Sequence, residues 1–363
     1  MAEARFSEAD RQFMDHALRL GRRNLGRVAP NPSVGCVLVK DGVIVGRGVT
    51  QPGGRPHGET TALAHAGEAA RGATAYVTLE PCSHFGRTGP CSDALARAGV
   101  TRVVCAIGDP DPRVRGRGFT MLRAYGITVD TGLFEAESGL DHRGHFNRVR
   151  LGRPFVQMKM ALSEDGFVAG EGGRRVQISG PHAQAQVHMM RAMADAIMIG
   201  AGTALADDPE LTCRLPGMAD RSPVRIVIDS QLRLPLTSKL VQTAADVPTW
   251  VLSTVGAPPE AERALRAAGC QVMLVRRHAD GRLDLGEAMR LIAVRGITRV
   301  LAETGPALAA GLMDADLADE VVLVRSPNTL GHGLAGLPTP LSPRFQLAET
   351  RPAGADMFET YRR

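Results

Sequence analysis

Aromatic residues make up only 4% of the 363 residues, and Trp250 is the one tryptophan. That scarcity argues against a surface that stacks single-stranded nucleic acid. Long apolar runs are missing too. No window approaches eighteen uninterrupted apolar residues, so no membrane span is expected. The first stretch, MAEARFSEADRQFMDHALRL, carries acids and no apolar centre, unlike a secretory signal. There is no polybasic run. The net charge of +5 comes from scattered arginines, as in GRRNLGR and RVRGRG. Most of these read as solvated surface. The functional reading is attraction of phosphorylated small molecules, not nucleic acid. Cysteine is sparse, at six residues. A cytoplasmic, reducing location is expected, in which a disulfide between Cys82 and Cys91 is disfavoured against metal binding or catalysis.

What is present suits a soluble α/β protein. Hydrophobic residues reach 44%, enough for more than one core, and the length suggests two domains. Residues 7–24 read as an amphipathic helix capped by Ser7. Two apolar runs then flank Asp41-Gly42, a hairpin signal. Helices and strands alternate to about residue 131, which predicts a sheet covered by helices on both faces. The first domain is placed at 1–148. HFNRVRLGRPF, with Gly152 and Pro154, reads as a connection, and a second α/β domain is placed at 153–363.

The stretch TLEPCSHFGRTGPC, Thr78 to Cys91, concentrates the chemistry of the first half. His57 in HGE lies twenty-five residues before Cys82. One imidazole and two thiolates suit Zn²⁺ and leave a fourth tetrahedral position for water. Glu59 sits two residues from His57 and is cast as a proton shuttle, not a ligand. Zinc deaminases use a H-x-E element followed by Pro-Cys and a second cysteine. The competing reading is a closed structural site completed by His84 or His65. A loop role orienting substrate suits His84 better.

In the second half, a buried strand ends at Gly200-Ala201-Gly202-Thr203, followed by Asp207-Asp208-Pro209. Ligands bind at the carboxyl ends of strands in such sheets, and a turn of small residues admits a phosphate or nicotinamide. AETGPALAAGL repeats the arrangement from Ala302 to Leu312. Neither is a G-x-G-x-x-G fingerprint, and each also reads as an ordinary strand-to-helix turn.

NPSVGCVLVKDG, HGE, VTLEPCSHFGRTGPC and GDPDPRVRGRG resemble the deaminase half of the bifunctional riboflavin-biosynthesis deaminase/reductase family. MKMALSEDGFVAG, HMMRAMADAIMIGAGTALADDPELTCR, VRIVIDSQLRLP and the ET-G turn resemble its reductase half. The resemblance implies a cytidine-deaminase-like α/β/α domain followed by a dihydrofolate-reductase-like α/β domain. It implies zinc on His57, Cys82 and Cys91, with Glu59 as proton donor. The implied substrate is a diaminopyrimidinone ribosylamine 5′-phosphate, lined by Asn31 and Asp109. Arg87 and the arginines from Arg113 to Arg117 are candidates for its phosphate.

For the second half the resemblance implies NADPH, met by Ala161, Gln177, Thr203, Asp207 and Ser230. A turn of Gly305, Pro306, Ala307, Leu308, Ala309, Ala310 and Gly311 would hold its phosphates. The substrate would meet Arg175, Arg191, Leu211, Arg214 and Glu303. Arg191 and Arg214 suit a phosphate through paired guanidinium donors. A homodimer through this half is also implied, with no nucleic-acid or membrane partner. Four positions depart from the family pattern: Thr50 for a histidine, Asp111 for an asparagine, Gln177 for an aromatic, and Thr304 in the glycine-rich turn. Two other readings fit the residues. One is a zinc deaminase of a related pyrimidine or purine-like substrate with a divergent or inactive reductase half. The other is a zinc-stabilised RNA-binding module.

Overall fold

The computed structural model describes residues 6–86, 89–278, 281–337 and 341–363. The chain divides into two compact units, Met1–Arg153 and Pro154–Arg363.

The first unit opens with α1 (Glu8–Arg22), where Ser7 and Asp10 exchange hydrogen bonds in a capping box. β1 (Gly35–Lys40) and β2 (Val43–Val49) form the expected hairpin, with positive φ at Asp41 and Gly42. That backbone matches the twist of the paired strands. α2 (Gly58–Ala66), β3 (Thr74–Val77), α3 (Cys91–Arg97), β4 (Arg102–Cys105), α4 (Arg117–Ala124) and β5 (Thr128–Thr131) follow. The sheet order is β2-β1-β3-β4-β5, with β1 antiparallel to its neighbours and β3, β4 and β5 parallel.

Alternation along the strands sorts the core into two layers. Val37, Val39, Tyr76 and Val104 pack on Met14, Ala17 and Leu20 of α1. Cys36, Leu38, Val77 and Val103 pack on Ala62, Leu95 and Leu122 of α2, α3 and α4. The unit is therefore the expected α/β/α sandwich. Gly35 is needed where α1 meets the sheet, because a Cβ there would overlap the Ala17 carbonyl.

One expectation fails. HFNRVRLGRPF is not a connection for most of its length. Its first residues lie within α5 (Glu135–Leu151), and only Gly152, with φ of 64°, ends the helix. Glycine and proline mark the helix stop there, and a helix stop resembles a linker in sequence.

The second unit contains β6 (Phe155–Leu162), β7 (Phe167–Ala169), α6 (Pro181–Ala192), β8 (Ala196–Gly200), α7 (Ala201–Asp207), β9 (Val224–Ile228), α8 (Lys239–Gln242) and β10 (Thr249–Thr254). It continues through α9 (Pro259–Ala267), β11 (Gln271–Val275), α10 (Leu285–Val294), β12 (Arg299–Glu303), α11 (Pro306–Asp314) and β13 (Glu320–Arg325). It closes with β14 (Leu334–Ala335), β15 (Gln346–Ala353) and β16 (Asp356–Arg362). The large sheet runs β11-β10-β9-β8-β12-β6-β13-β16-β15, parallel from β11 to β13 and antiparallel in the closing hairpin. One face packs on α10 and α11, the other on α6, α7, α8 and α9.

Two turns expected from the sequence are shorter than read. Gly200 caps α7 directly, so Ala201 to Thr203 are helical. Gly305 likewise caps α11, so Pro306 to Gly311 are helix, not turn.

The anchor of the first unit is Asp10, 5% exposed. It accepts from Tyr76 Oη at 2.8 Å and Arg102 Nη1 at 2.6 Å, besides Ser7. Burial alone would raise its pKa, but Arg102, Ser7 and Tyr76 hold it well below the carboxylate range. Its contribution to stability is therefore complete above about pH 5 and is lost as pH falls toward its folded pKa. Asp10→Asn is expected to destabilise the first unit by about 2–4 kcal/mol at neutral pH and to lose less stability on acidification. Denaturant melts at neutral and acid pH check both.

Candidate active sites

His57 is the N-cap of α2 and Cys91 the first residue of α3, so two helix starts present ligands to one point. Cys82 comes from the loop after β3, and its sulfur accepts from the Cys91 N–H at 3.2 Å. His57 Nδ1 lies 3.7 Å from Cys82 Sγ and 3.3 Å from Cys91 Sγ. One donor atom from each residue lies within 4.8 Å of the others. Hydrogen bonds from Cys91 and His57 pull the Cys82 thiol down to about 4, against its burial. Its partner Cys91 is raised, mainly by the same hydrogen bond. Two sulfurs and an imidazole so placed suit a soft divalent cation.

Glu59 stands in the first turn of α2, 3% exposed. Burial and the nearby Cys82 push its carboxyl up to about 7, with His57 opposing. It is poised to carry a proton near neutrality. The closed-site alternative loses support. His65 Nδ1 accepts from the Arg47 N–H, away from the cluster, and His84 lines the cavity without joining the ligand set. The other four cysteines are free and buried.

The three-ligand cluster opens on a cavity of about 100 Å³. Asn31, Asp109 and Arg113 line it, as the sequence predicts, together with Thr50, Arg55, Glu80, Asp111 and His145. Arg115 and Arg117 are exposed and outside the lining. Arg87 lies outside the described residues. Asp111, the departure from asparagine, grips Arg113 through Nε and Nη2. Thr50 Oγ1 accepts from the Val34 N–H and so joins two walls of the cavity.

Glu80 and His145 were missed by the sequence reading. Glu80 accepts from the N–H groups of Asp109, Gly116, Gly118 and Phe119. It ties the 109–119 loop to the strand end that carries Cys82. Its place inside TLEPC was the available signal.

In the second unit a cavity of about 700 Å³ opens at the carboxyl ends of parallel strands β6, β8 and β12. Ala161, Arg175, Arg191, Thr203, Asp207, Leu211, Glu303 and Gly305 to Leu308 line it. So does Lys159, which lies half-buried near Glu303 and Arg191. Burial lowers the lysine pKa and Glu303 opposes. Arg191 does not offer a free fork, contrary to the phosphate expectation. Its Nε and Nη2 bind Glu303 at 2.6 and 2.9 Å, and Nη1 donates to the Thr212 carbonyl.

Gln177, Ser230, Arg214, Ala309, Ala310 and Gly311 fall outside the lining. The last three turn away because α11 is helical: Ala309 enters the core and Ala310 faces out. Arg214 is exposed and reaches Glu210. Thr304 lines the cavity with a buried hydroxyl oxygen that has no hydrogen-bond partner.

A three-ligand site with a buried acid, joined in one chain to an α/β unit with a large cavity at its strand ends, defines a zinc-type deaminase fused to a second ligand-binding domain. Residues 7–107 match the cytidine and deoxycytidylate deaminase zinc-binding region, and residues 154–358 match the RibD C-terminal domain. The RibD riboflavin biosynthesis proteins of Escherichia coli and Haemophilus influenzae are 41% and 40% identical, spanning 96% and 98% of this chain and 98% of each of theirs. The solved RibD of Acinetobacter baumannii superposes with a TM-score of 0.86 at 33% identity, over 98% of this chain and 99% of that one. A Thermotoga maritima structure, described as a diaminohydroxyphosphoribosylaminopyrimidine deaminase/5-amino-6-(5-phosphoribosylamino)uracil reductase, gives a TM-score of 0.84 at 32% identity, over 98% of both chains. The chain belongs to the RibD family of bifunctional riboflavin-biosynthesis deaminase/reductases. The first half has the cytidine-deaminase-like fold expected, and the second is an α/β domain that matches the RibD C-terminal domain. Among the described residues, no helix is long and apolar enough to cross a membrane.

Purified protein is expected to carry about one zinc ion per chain, and Cys82→Ser or Cys91→Ser to lose most of it. Elemental analysis after gel filtration reads this.

Proposed function

We propose that the first unit hydrolytically deaminates 2,5-diamino-6-(ribosylamino)-4(3H)-pyrimidinone 5′-phosphate, and that the second uses NADPH to reduce the product's ribosyl group to ribityl. The observation that carries the reading is the convergence of His57, Cys82 and Cys91, with His57, Cys82 and buried Glu59 lining one cavity. A zinc ion on those three ligands would supply Lewis acidity and lower the pKa of water. Glu59 takes one proton from the attacking water and delivers it to the ring nitrogen, then carries the second, from the new hydroxyl, to the departing amine, leaving a ring carbonyl and a ring N–H. Water enters and ammonia leaves. Asn31 and Asp109 hold the pyrimidine edge, and Arg113 meets the phosphate at the cavity mouth.

In the second unit, Ala161, Thr203, Asp207 and the α11 start at Gly305 are the cofactor contacts the cavity supports best. Gln177, Ser230 and residues 309–311 are outer contacts at most. NADPH bound there would supply hydride. Lys159 and Glu303, both half-buried, exchange the accompanying proton with the opened sugar, and Arg191 holds Glu303 in place. Arg175 and Leu211 position the substrate, with Arg214 outside the cavity. The protein works in the cytoplasm, as a homodimer through this unit. A second reading, with a divergent reductase half, draws on Gln177 and Thr304, and NADPH turnover decides between them.

Glu59→Gln is expected to retain zinc while ammonia release falls about 10²–10⁴-fold, the usual range for a lost general acid–base. Elemental analysis beside a coupled ammonia assay tests it; full release by the variant contradicts the role. Chelating the zinc is expected to abolish ammonia release and spare NADPH oxidation when the deaminated product is supplied. Absorbance at the NADPH band shows whether the second unit is active.

A further inference from the structure

We infer that His145 is a positioning residue of the deaminase site, orienting Asp109 so that one carboxylate oxygen is reserved for a ring N–H of the substrate. This rests on the deaminase reading above. His145 Nε2 lies 2.9 Å from Asp109 Oδ1, and the two side chains are 10% and 8% exposed. Both line the cavity that contains His57, Glu59 and Cys82.

The hydrogen-bond inventory of Asp109 is uneven. Oδ1 accepts from His145 Nε2 and from the Asp111 N–H at 2.8 Å. Its own N–H donates to Glu80 Oε2. No described group donates to Oδ2. Asp109 lines the cavity, so an acceptor oxygen left open there is available to a donor on the ligand. A pyrimidine N–H is such a donor, and a charge-assisted bond to a fixed carboxylate is strong and directional. Because the partner of Nε2 only accepts, the imidazole carries its hydrogen on Nε2, which makes it a donor to Oδ1.

The placement of His145 is built into α5. Ser138 Oγ donates to the Thr78 carbonyl, and His142 Nε2 meets Thr78 Oγ1 at 3.2 Å, at the end of β3. Residues 138, 142 and 145 share one face of the helix. Two contacts at β3 thus set the rotation of α5, and the third position on that face meets Asp109. Phe146, in the core, fixes its depth. The histidine belongs to the segment that the sequence presents as a connection, which is why nothing in the motifs points to it.

The test uses the full-length zinc-loaded protein and two variants. His145→Phe keeps bulk and removes the donor; His145→Gln keeps an N–H donor at about the Nε2 position. Steady-state ammonia release is measured with the diaminopyrimidine phosphate, and calorimetry gives the dissociation constant of the deaminated product. For His145→Phe, KM and the product's dissociation constant are expected to rise about 10-fold or more, as loss of a charge-assisted hydrogen bond implies, with kcat within about threefold. His145→Gln is expected to restore both constants to within about threefold of the parent. Unchanged constants in His145→Phe overturn the inference. So does equal impairment in both variants, which would mean that only packing matters. A parent protein that binds zinc and releases no ammonia overturns the deaminase reading and this inference with it.

Discussion

Activity in the first unit depends on holding one imidazole nitrogen and two sulfurs within 4.8 Å of one another, although His57 and Cys91 are thirty-four residues apart. Thiolates crowded together repel, so the fold must supply compensation. It does so with backbone and charge. Cys82 accepts an N–H from Cys91, the imidazole lies against both sulfurs, and two of the three ligands sit where helices begin. A zinc ion would complete that compensation, which ties metal binding to local stability.

The surrounding site rests on buried carboxylates with different tasks. Glu80 is held by four backbone N–H groups, and it locks the loop that carries Asp109 and Arg113. Glu59, at least as buried, lacks such a cage, and burial keeps its pKa near neutrality. In the second unit Glu303 is half-buried, and Arg191 and Lys159 outweigh its desolvation and leave its pKa lowered. Similar side chains take different roles because their partners differ, not because their exposure does.

Much of this was legible in the sequence where chemistry is local. His57, Glu59, Cys82 and Cys91 lie in short motifs whose residue types leave few alternatives. The hairpin at Asp41-Gly42 and the Ser7 cap follow from turn and cap chemistry over four residues. The misreadings share a different cause. The fork of Arg191 is taken by Glu303, 112 residues away, so a sequence suggests a free phosphate ligand where the fold has an ion pair. Residues 309–311 looked like a phosphate turn, because glycine and alanine serve a loop or a helix equally well. His145 is invisible to motif reasoning, since its partner Asp109 meets it only through the packing of α5 on the sheet.

Under the proposed function, both chemistries reside in this one chain and act in order. The most direct measurement is mass spectrometry of the pyrimidine after incubation with zinc-loaded protein, with and without NADPH. Without NADPH, the product should show only replacement of the ring amino group by oxygen. With NADPH, it should show that change and the gain of two hydrogens on the sugar. Recovery of unaltered substrate under both conditions, or reduction of the sugar while the ring amine is retained, would contradict the account.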